Sequence, residues 1–139
     1  MYLLAKRYLN NNGDVQLRET ISNLFPDISS KVEEVTFDAG YWRKANHIHG
    51  WFVKLFKKIV FCSGTYAISR EELEDLRNTC KQVLNNKDLA EELLPRVKGY
   101  FFGSQEIDDT YFKDISDTIS VIDSCLNLPT NWYFYYRAS

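Results

Sequence analysis

Apolar and polar positions change period several times along the 139 residues, and each change marks an element. Tyr2 to Leu9 alternates moderately and runs into Asn10-Asn11-Asn12-Gly13, which reads as a strand followed by a turn. Between Asp14 and Ser30 the pattern is ambiguous: Leu17, Ile21, Leu24 and Phe25 have helical spacing, and Pro26 ends whatever forms there. Lys31 to Phe37 sets Val32, Glu34 and Thr36 against Glu33, Val35 and Phe37, and its β-branched content predicts a second strand. Asp38 is then placed to cap a helix from about Tyr41 to Lys57, whose buried stripe would be Tyr41, Ala45, Ile48, Phe52 and Leu55.

Ile59 to Ile68 reads as a short strand interrupted by Ser63-Gly64. Ser69 and Glu72 form a capping box, and the helix that follows carries Leu73, Leu76, Cys80, Val83 and Leu84 on its core face. Asn85-Asn86 ends it, and a short helix from Asp88 reaches Leu94 before Pro95. Tyr100 to Gly103 reads as a brief strand or aromatic loop. Asp108 or Asp109 caps a last helix with Phe112, Ile115, Ile119, Ile122 and Leu126 inward, and Pro129 closes it. Trp132 to Arg137 alternates as a terminal strand with one face buried. The pattern predicts one α+β domain over residues 1–139: a small, mostly antiparallel sheet of about four short strands packed against three to four helices.

Composition narrows the class. Hydrophobic residues at 45% and charged residues at 26% are ordinary for a globular domain, but aromatics reach 15%. Either the core is rich in rings or some rings face a ligand or partner. No apolar run is long enough for a transmembrane helix, and the amino-terminal residues do not read as a secretory signal, so the expected location is the cytoplasm. Three widely spaced cysteines, Cys62, Cys80 and Cys125, fit neither a disulfide framework nor a zinc site.

The net charge of −2 is unevenly spread. No acid lies between Asp38 and Glu71, where Arg43, Lys44, Lys54, Lys57, Lys58 and Arg70 fall, while Glu106 to Asp123 is acidic. Such polarity attracts an anionic partner or is neutralised within the fold.

The candidate chemistry gathers on the expected helix after Asp38. Trp42, Asn46 and His49 would form one row beside the buried stripe, with Arg43 and Lys44 adjoining near the helix amino terminus. A nucleotide could stack on Trp42, take charge from Arg43 and Lys44, and bond to Asn46 and His49. The same residues equally suit architecture, as half-buried groups bonded to neighbouring loops. Trp51 and Arg137 complete the set of candidate binding residues. His47 and His49 would point about 200° apart on a helix, too far to share a metal. No nucleophile elbow, phosphate loop or dinucleotide fingerprint occurs, so neither a catalytic residue nor a cofactor nor a metal is assigned. Nucleic acid is disfavoured, because the basic set is small and no recognition motif accompanies it.

Gly40-Tyr41-Trp42-Arg43-Lys44-Ala45-Asn46, with Ile48-His49 and Trp51-Phe52-Val53, resembles the signature of a family of short, uncharacterised phage and prophage proteins. The resemblance continues in Ala90-Glu91-Glu92-Leu93-Leu94-Pro95, in Phe101-Phe102-Gly103-Ser104 and in the aromatic stretch ending near Tyr136. It departs at His47, at Gly50 and at Arg96-Val97. It implies a phage setting rather than a mechanism. The expectation is a non-enzymatic accessory protein that binds and blocks or sequesters a host protein or complex, as an anti-defence factor does, with self-association open. Two alternatives stand beside it: a protein that binds or hydrolyses a nucleotide or small anion at the basic aromatic helix, and a minor structural or assembly protein of the virion.

Overall fold

A computed structural model of the chain describes residues 1–9, 15–27, 33–57, 64–98 and 105–138. The expected turn at Asn10–Gly13, the first half of the strand expected from Ile59, and the aromatic segment at Tyr100–Gly103 lie outside these residues. Among the described residues the elements are β1 (Tyr2–Tyr8), α1 (Val15–Leu24), β2 (Glu34–Tyr41), α2 (Asn46–Phe56), β3 (Thr65–Ile68), α3 (Arg70–Asn85), the short α4 (Ala90–Leu93) after one 3₁₀ turn, α5 (Asp109–Leu126) and β4 (Trp132–Arg137). The strands form one fully antiparallel sheet in the order β2-β1-β4-β3, which makes this a small α+β fold.

Register divides the sheet into two unlike faces, because directly paired residues point the same way. Leu3 and Ala5 of β1 lie opposite Tyr136 and Phe134 of β4, which in turn pair with Tyr66 and Ile68 of β3. Apart from the half-buried Tyr66, these side chains are buried, and the helices cover them. Phe52 of α2 stacks on Tyr136 with ring centroids 3.9 Å apart, and Phe56 stacks on Tyr66. Such a stacked pair adds about 0.5–1.5 kcal/mol beyond the burial of its area.

The helices beyond α2 follow local signals closely. Ser69 accepts from the Glu72 backbone while Glu72 accepts from the Ser69 backbone, so α3 starts on the expected capping box, and Leu73, Leu76, Cys80 and Val83 are buried. Asp108 caps α5 by accepting from the Tyr111 backbone. The buried face of α5 is Tyr111, Ile115, Thr118, Ile122 and Cys125, turned from the expected stripe, so that Phe112, Ile119 and Leu126 are only half-buried. Two polar anchors set that turn. The Tyr111 hydroxyl donates to the Leu94 carbonyl and Thr118 receives the Trp42 indole N–H, so both side chains must face inward.

The helix expected from Tyr41 does not start there. β2 continues through Tyr41, which pairs with Tyr2, and the Trp42 backbone donates to the Met1 carbonyl. A turn follows, with Lys44 at φ 57°, and α2 begins at Asn46 without a side-chain cap. Asp38 is therefore a strand residue, ion-paired to Arg137 at 3.8 Å rather than capping a helix. Tyr41, expected in the core, is 58% exposed, and Leu55 is half-buried. α1 forms as its spacing allowed, yet Leu17, Ile21 and Leu24 stand outside the core, and Leu24 is 69% exposed.

Gly40 shows how closely α5 meets the sheet: a Cβ there would fall 2.6 Å from Val121 Cγ1. Gly40→Ala should cost about 1–3 kcal/mol in urea unfolding through this overlap. Adding Val121→Ala should recover at least about 1 kcal/mol of that cost. Purely additive losses would show that the contact does not limit the packing.

Candidate functional site

The chemistry-bearing residues around α2 separate into three internal attachments and two cations whose side chains meet no partner among the described residues. Trp42 is 4% exposed, and its Nε1–H donates to Thr118 Oγ1 at 2.8 Å. The Thr118 hydroxyl in turn donates a hydrogen bond to the Asp114 carbonyl, so the indole is anchored to α5. His49 Nδ1 meets the Tyr136 hydroxyl at the centre of the sheet. Burial holds the Tyr136 phenol protonated, far above the ordinary range, and pushes the His49 imidazole down with help from the nearby terminal ammonium. Both groups are thus neutral, and one hydrogen bond joins them. Asn46, fully buried, turns toward the segment after α4, where its Oδ1 accepts from the Val97 backbone and faces Arg96.

Trp42, Asn46 and His49 therefore do not converge on one pocket. They looked like a row only on a helix beginning at Tyr41, and Trp42 precedes α2. Arg43 and Lys44 are exposed, and their side chains make no hydrogen bond or ion pair among the described residues, although the Lys44 carbonyl accepts from the Asn46 backbone at 3.0 Å. Trp51 is half-buried, edge-on to Phe52, and lines a groove of about 510 Å³ with Gly50, Lys54, Leu93, Pro95 and Val97. Gly50 permits the close approach of that last segment, since a Cβ would meet Val97 Cγ2 at 2.6 Å.

Arg96 organises a polar cluster that sequence reasoning missed. Its guanidinium side chain is 7% exposed. Nε donates to the Glu106 carbonyl at 3.0 Å, Nη1 reaches His47 Nδ1 at 3.2 Å, and Nη2 stands 3.9 Å from Asp108. The Tyr111 ring has Arg96 5.0 Å from its centroid and stacks on His47 at 4.1 Å. Burial, then the charge of Arg96, lower the His47 pKa from 6.5 to about 3 against a small opposing effect of the Tyr111 backbone, so its Nδ1 is free to accept. The clue in the sequence is one charged residue between Pro95 and Val97, but its partners lie about fifty positions away in His47 and Asn46. Arg70 is also structural: it donates to the Leu126, Leu128 and Pro129 carbonyls at the end of α5. The buried Cys80 and Cys125 thiols are pushed up to about 12 and about 11, away from thiolate chemistry. Among the described residues no group of three His, Cys, Asp or Glu side chains could hold a metal, and no helix is long and apolar enough to cross a membrane.

What remains open to a partner is the other face of the sheet. Register puts Tyr2, Leu4, Lys6 and Tyr8 of β1 on it, with Tyr133, Tyr135 and Arg137 of β4, and Glu34, Thr36, Asp38 and Tyr41 of β2. Tyr2 and Tyr41 sit 5.0 Å apart, and Tyr8 and Tyr133 6.0 Å apart. Lys6 lies over Tyr135 and meets Glu34 at 3.5 Å; Arg137 lies over Tyr2 and reaches Asp38. Tyr8, Tyr41 and Tyr133 are each more than half exposed. Of the seven residues singled out from the sequence, only Arg137 lies on this surface. The alternation of β4 carried half of the signal; the pairing of the first and last strands supplied the rest. No protein-family model, no curated protein and no solved structure matches the chain.

His47 gives the cluster a pH signature. Its folded pKa lies below its unfolded value of 6.5, so between 6.5 and about 3 the unfolded chain binds more protons and stability falls as the pH drops. From pH 7 to pH 4.5 the part due to His47 should be on the order of 2 kcal/mol. His47→Gln should flatten the pH dependence of the urea midpoint by a comparable amount. A profile as steep as wild type in that variant would remove His47 from the account.

Proposed function

We propose that the protein is a non-enzymatic accessory protein of phage that binds and blocks or sequesters a host protein, and that the tyrosine face of the sheet is its contact surface. The carrying observation is the chemistry of that face: five tyrosines on rigid strands, with Lys6 and Arg137 balanced by Glu34 and Asp38. Tyrosine offers a large contact area with a polar tip and few rotors to immobilise, which is why it dominates protein-binding surfaces. Balanced charge suits a protein surface of mixed polarity better than a polyanion, which would need an excess of cations. The imidazoles and described thiols are committed to internal packing and bonds, which favours binding over catalysis. The phage setting and the host target rest on the resemblance of the Gly40–Val53 stretch alone. A nucleotide pocket at Trp42 finds less support, because the indole has no face open for stacking.

Immobilised protein offered a bacterial host lysate should retain a partner. Tyr41→Ala with Tyr133→Ala should lose it while keeping the wild-type melting temperature, and Arg43→Ala with Lys44→Ala should keep it. Loss in the second pair but not the first would move the contact to the turn before α2. A nucleotide panel should leave the melting temperature unchanged, whereas a ligand at 100 times its dissociation constant would add about 2.7 kcal/mol.

A further inference from the structure

The tyrosine face is small for a stable contact. Four strands about 4.8 Å apart, with some six residues rising about 3.4 Å each, make a patch on the order of 400 Å². A specific interface of standard size takes about 800 Å² from each partner. The border of the patch offers a way to enlarge it. β2 is the last strand on its side of the sheet, eight residues long, and among the described residues no backbone hydrogen bond engages its outer edge. Such an edge is a template for another strand. The opposite edge, β3, has four residues.

Resting on the reading of the tyrosine face given above, we propose that β2 pairs antiparallel with β2 of a second copy across a two-fold axis, and that the resulting continuous face of eight strands is what holds the partner. A two-fold perpendicular to the sheet keeps both tyrosine faces on the same side, so the joined surface reaches about the area that a standard interface takes. A two-fold contact must also be self-complementary, and β2 is so about Phe37. With the axis there, Phe37 lies opposite its mate, and Thr36 lies opposite Asp38, whose carboxylate can accept from the threonine hydroxyl. Phe37 points to the helix side of the sheet, edge-on to Trp132, yet is 42% exposed. Its mate would cover it with an aromatic cross-strand pair. Moving the axis to Thr36 would set Glu34 opposite Asp38, two like charges, and moving it to Val35 would leave only Glu34 to Thr36 overlapping, so the register at Phe37 is favoured. Both acids, which could otherwise guard the edge, are answered from within their own sheet by Lys6 and Arg137. The extra residue at Ala39, where β2 shifts register against β1, keeps the regular ladder short, so the dimer should respond to concentration.

Sedimentation velocity from micromolar to submillimolar protein should show mass rising from one chain toward two. Phe37→Glu, checked for an unchanged melting temperature, should hold the protein at one chain and weaken partner retention from the lysate at least tenfold. Phe37→Cys should cross-link into covalent dimers under mild oxidation, because the axis sets the two substituted positions opposite each other. Thr65→Cys, on the far edge, should not. A chain that stays monomeric throughout, with no cross-link through Phe37→Cys, overturns the pairing. The tyrosine-face reading would then still be decided separately by the Tyr41 and Tyr133 variants. A dimer that survives Phe37→Glu but is lost with Tyr41→Ala and Tyr133→Ala also overturns it, since the second copy would then occupy the face rather than extend it. So does a Phe37→Glu monomer that retains the partner as well as wild type.

Discussion

The contact between Tyr136 and α2 holds the two layers together. Its ring stacks on Phe52 and its hydroxyl hydrogen-bonds His49, so one side chain at the centre of the sheet fixes both the depth and the rotation of the helix. Burial makes the contact demanding as well as favourable. A phenol removed from water needs a partner, and leaving it without one costs about 1–3 kcal/mol. With α2 rotated to satisfy Tyr136, Asn46 and His47 face the segment after α4. Arg96 then enters to complete them, and removing one member of such a buried charged cluster typically costs about 3–5 kcal/mol. The polar residues that begin α2 thus form part of the scaffold because the helix cannot be seated without them.

Legibility in the sequence follows the range of the deciding interaction. The capping box of α3, the Asp108 cap of α5 and the alternation of β4 are set by residues within a few positions, and each stands where the pattern puts it. The border between β2 and α2 is set by pairing with Met1 and Tyr2 some forty residues away, which overrides a helical spacing that Tyr41 and Ala45 genuinely possess. One consequence reaches the candidate site. Trp42 lies on a helix with Asn46 and His49 only if the helix starts four residues earlier than it does. The partners of His47 and Asn46 around Arg96 are equally remote, so spacing alone could not distinguish a ligand site from internal bonds.

The tyrosine face was divided in the sequence in the same way. Tyr2 and Tyr8 at one end of the chain, and Tyr133, Tyr135 and Arg137 at the other, are unremarkable runs until β1 and β4 become neighbours. Once joined, the two faces of the sheet differ in kind. At its centre the covered face uses leucine, alanine and phenylalanine, with the Tyr136 hydroxyl committed inward, while the open face carries five tyrosines among its charged and polar residues. Phenylalanine at Tyr8, Tyr41 and Tyr133 would leave rings with no polar tip in water, an aggregation liability on an open sheet. Tyrosine keeps the ring and hydrates its end. Each cation on this face rests on a ring and meets an acid, so the surface carries no unbalanced charge that a neutral partner would have to desolvate.

These two faces constrain each other through Tyr135 and Tyr136, adjacent residues of one strand that point in opposite directions. Tyr136 ties β4 to α2, and Tyr135 carries Lys6 at the middle of the open face. A one-residue slip of β4 would exchange the two roles, burying Tyr135 with its lysine and exposing the ring that seats α2. The core therefore fixes the register of the outer tyrosines. If this face is the contact surface proposed above, it needs no ordering when a partner arrives. Its rings are held apart at strand spacing by the same pairing that keeps Tyr136 beneath Phe52, so the free energy that a flexible loop would lose in ordering remains available for contact.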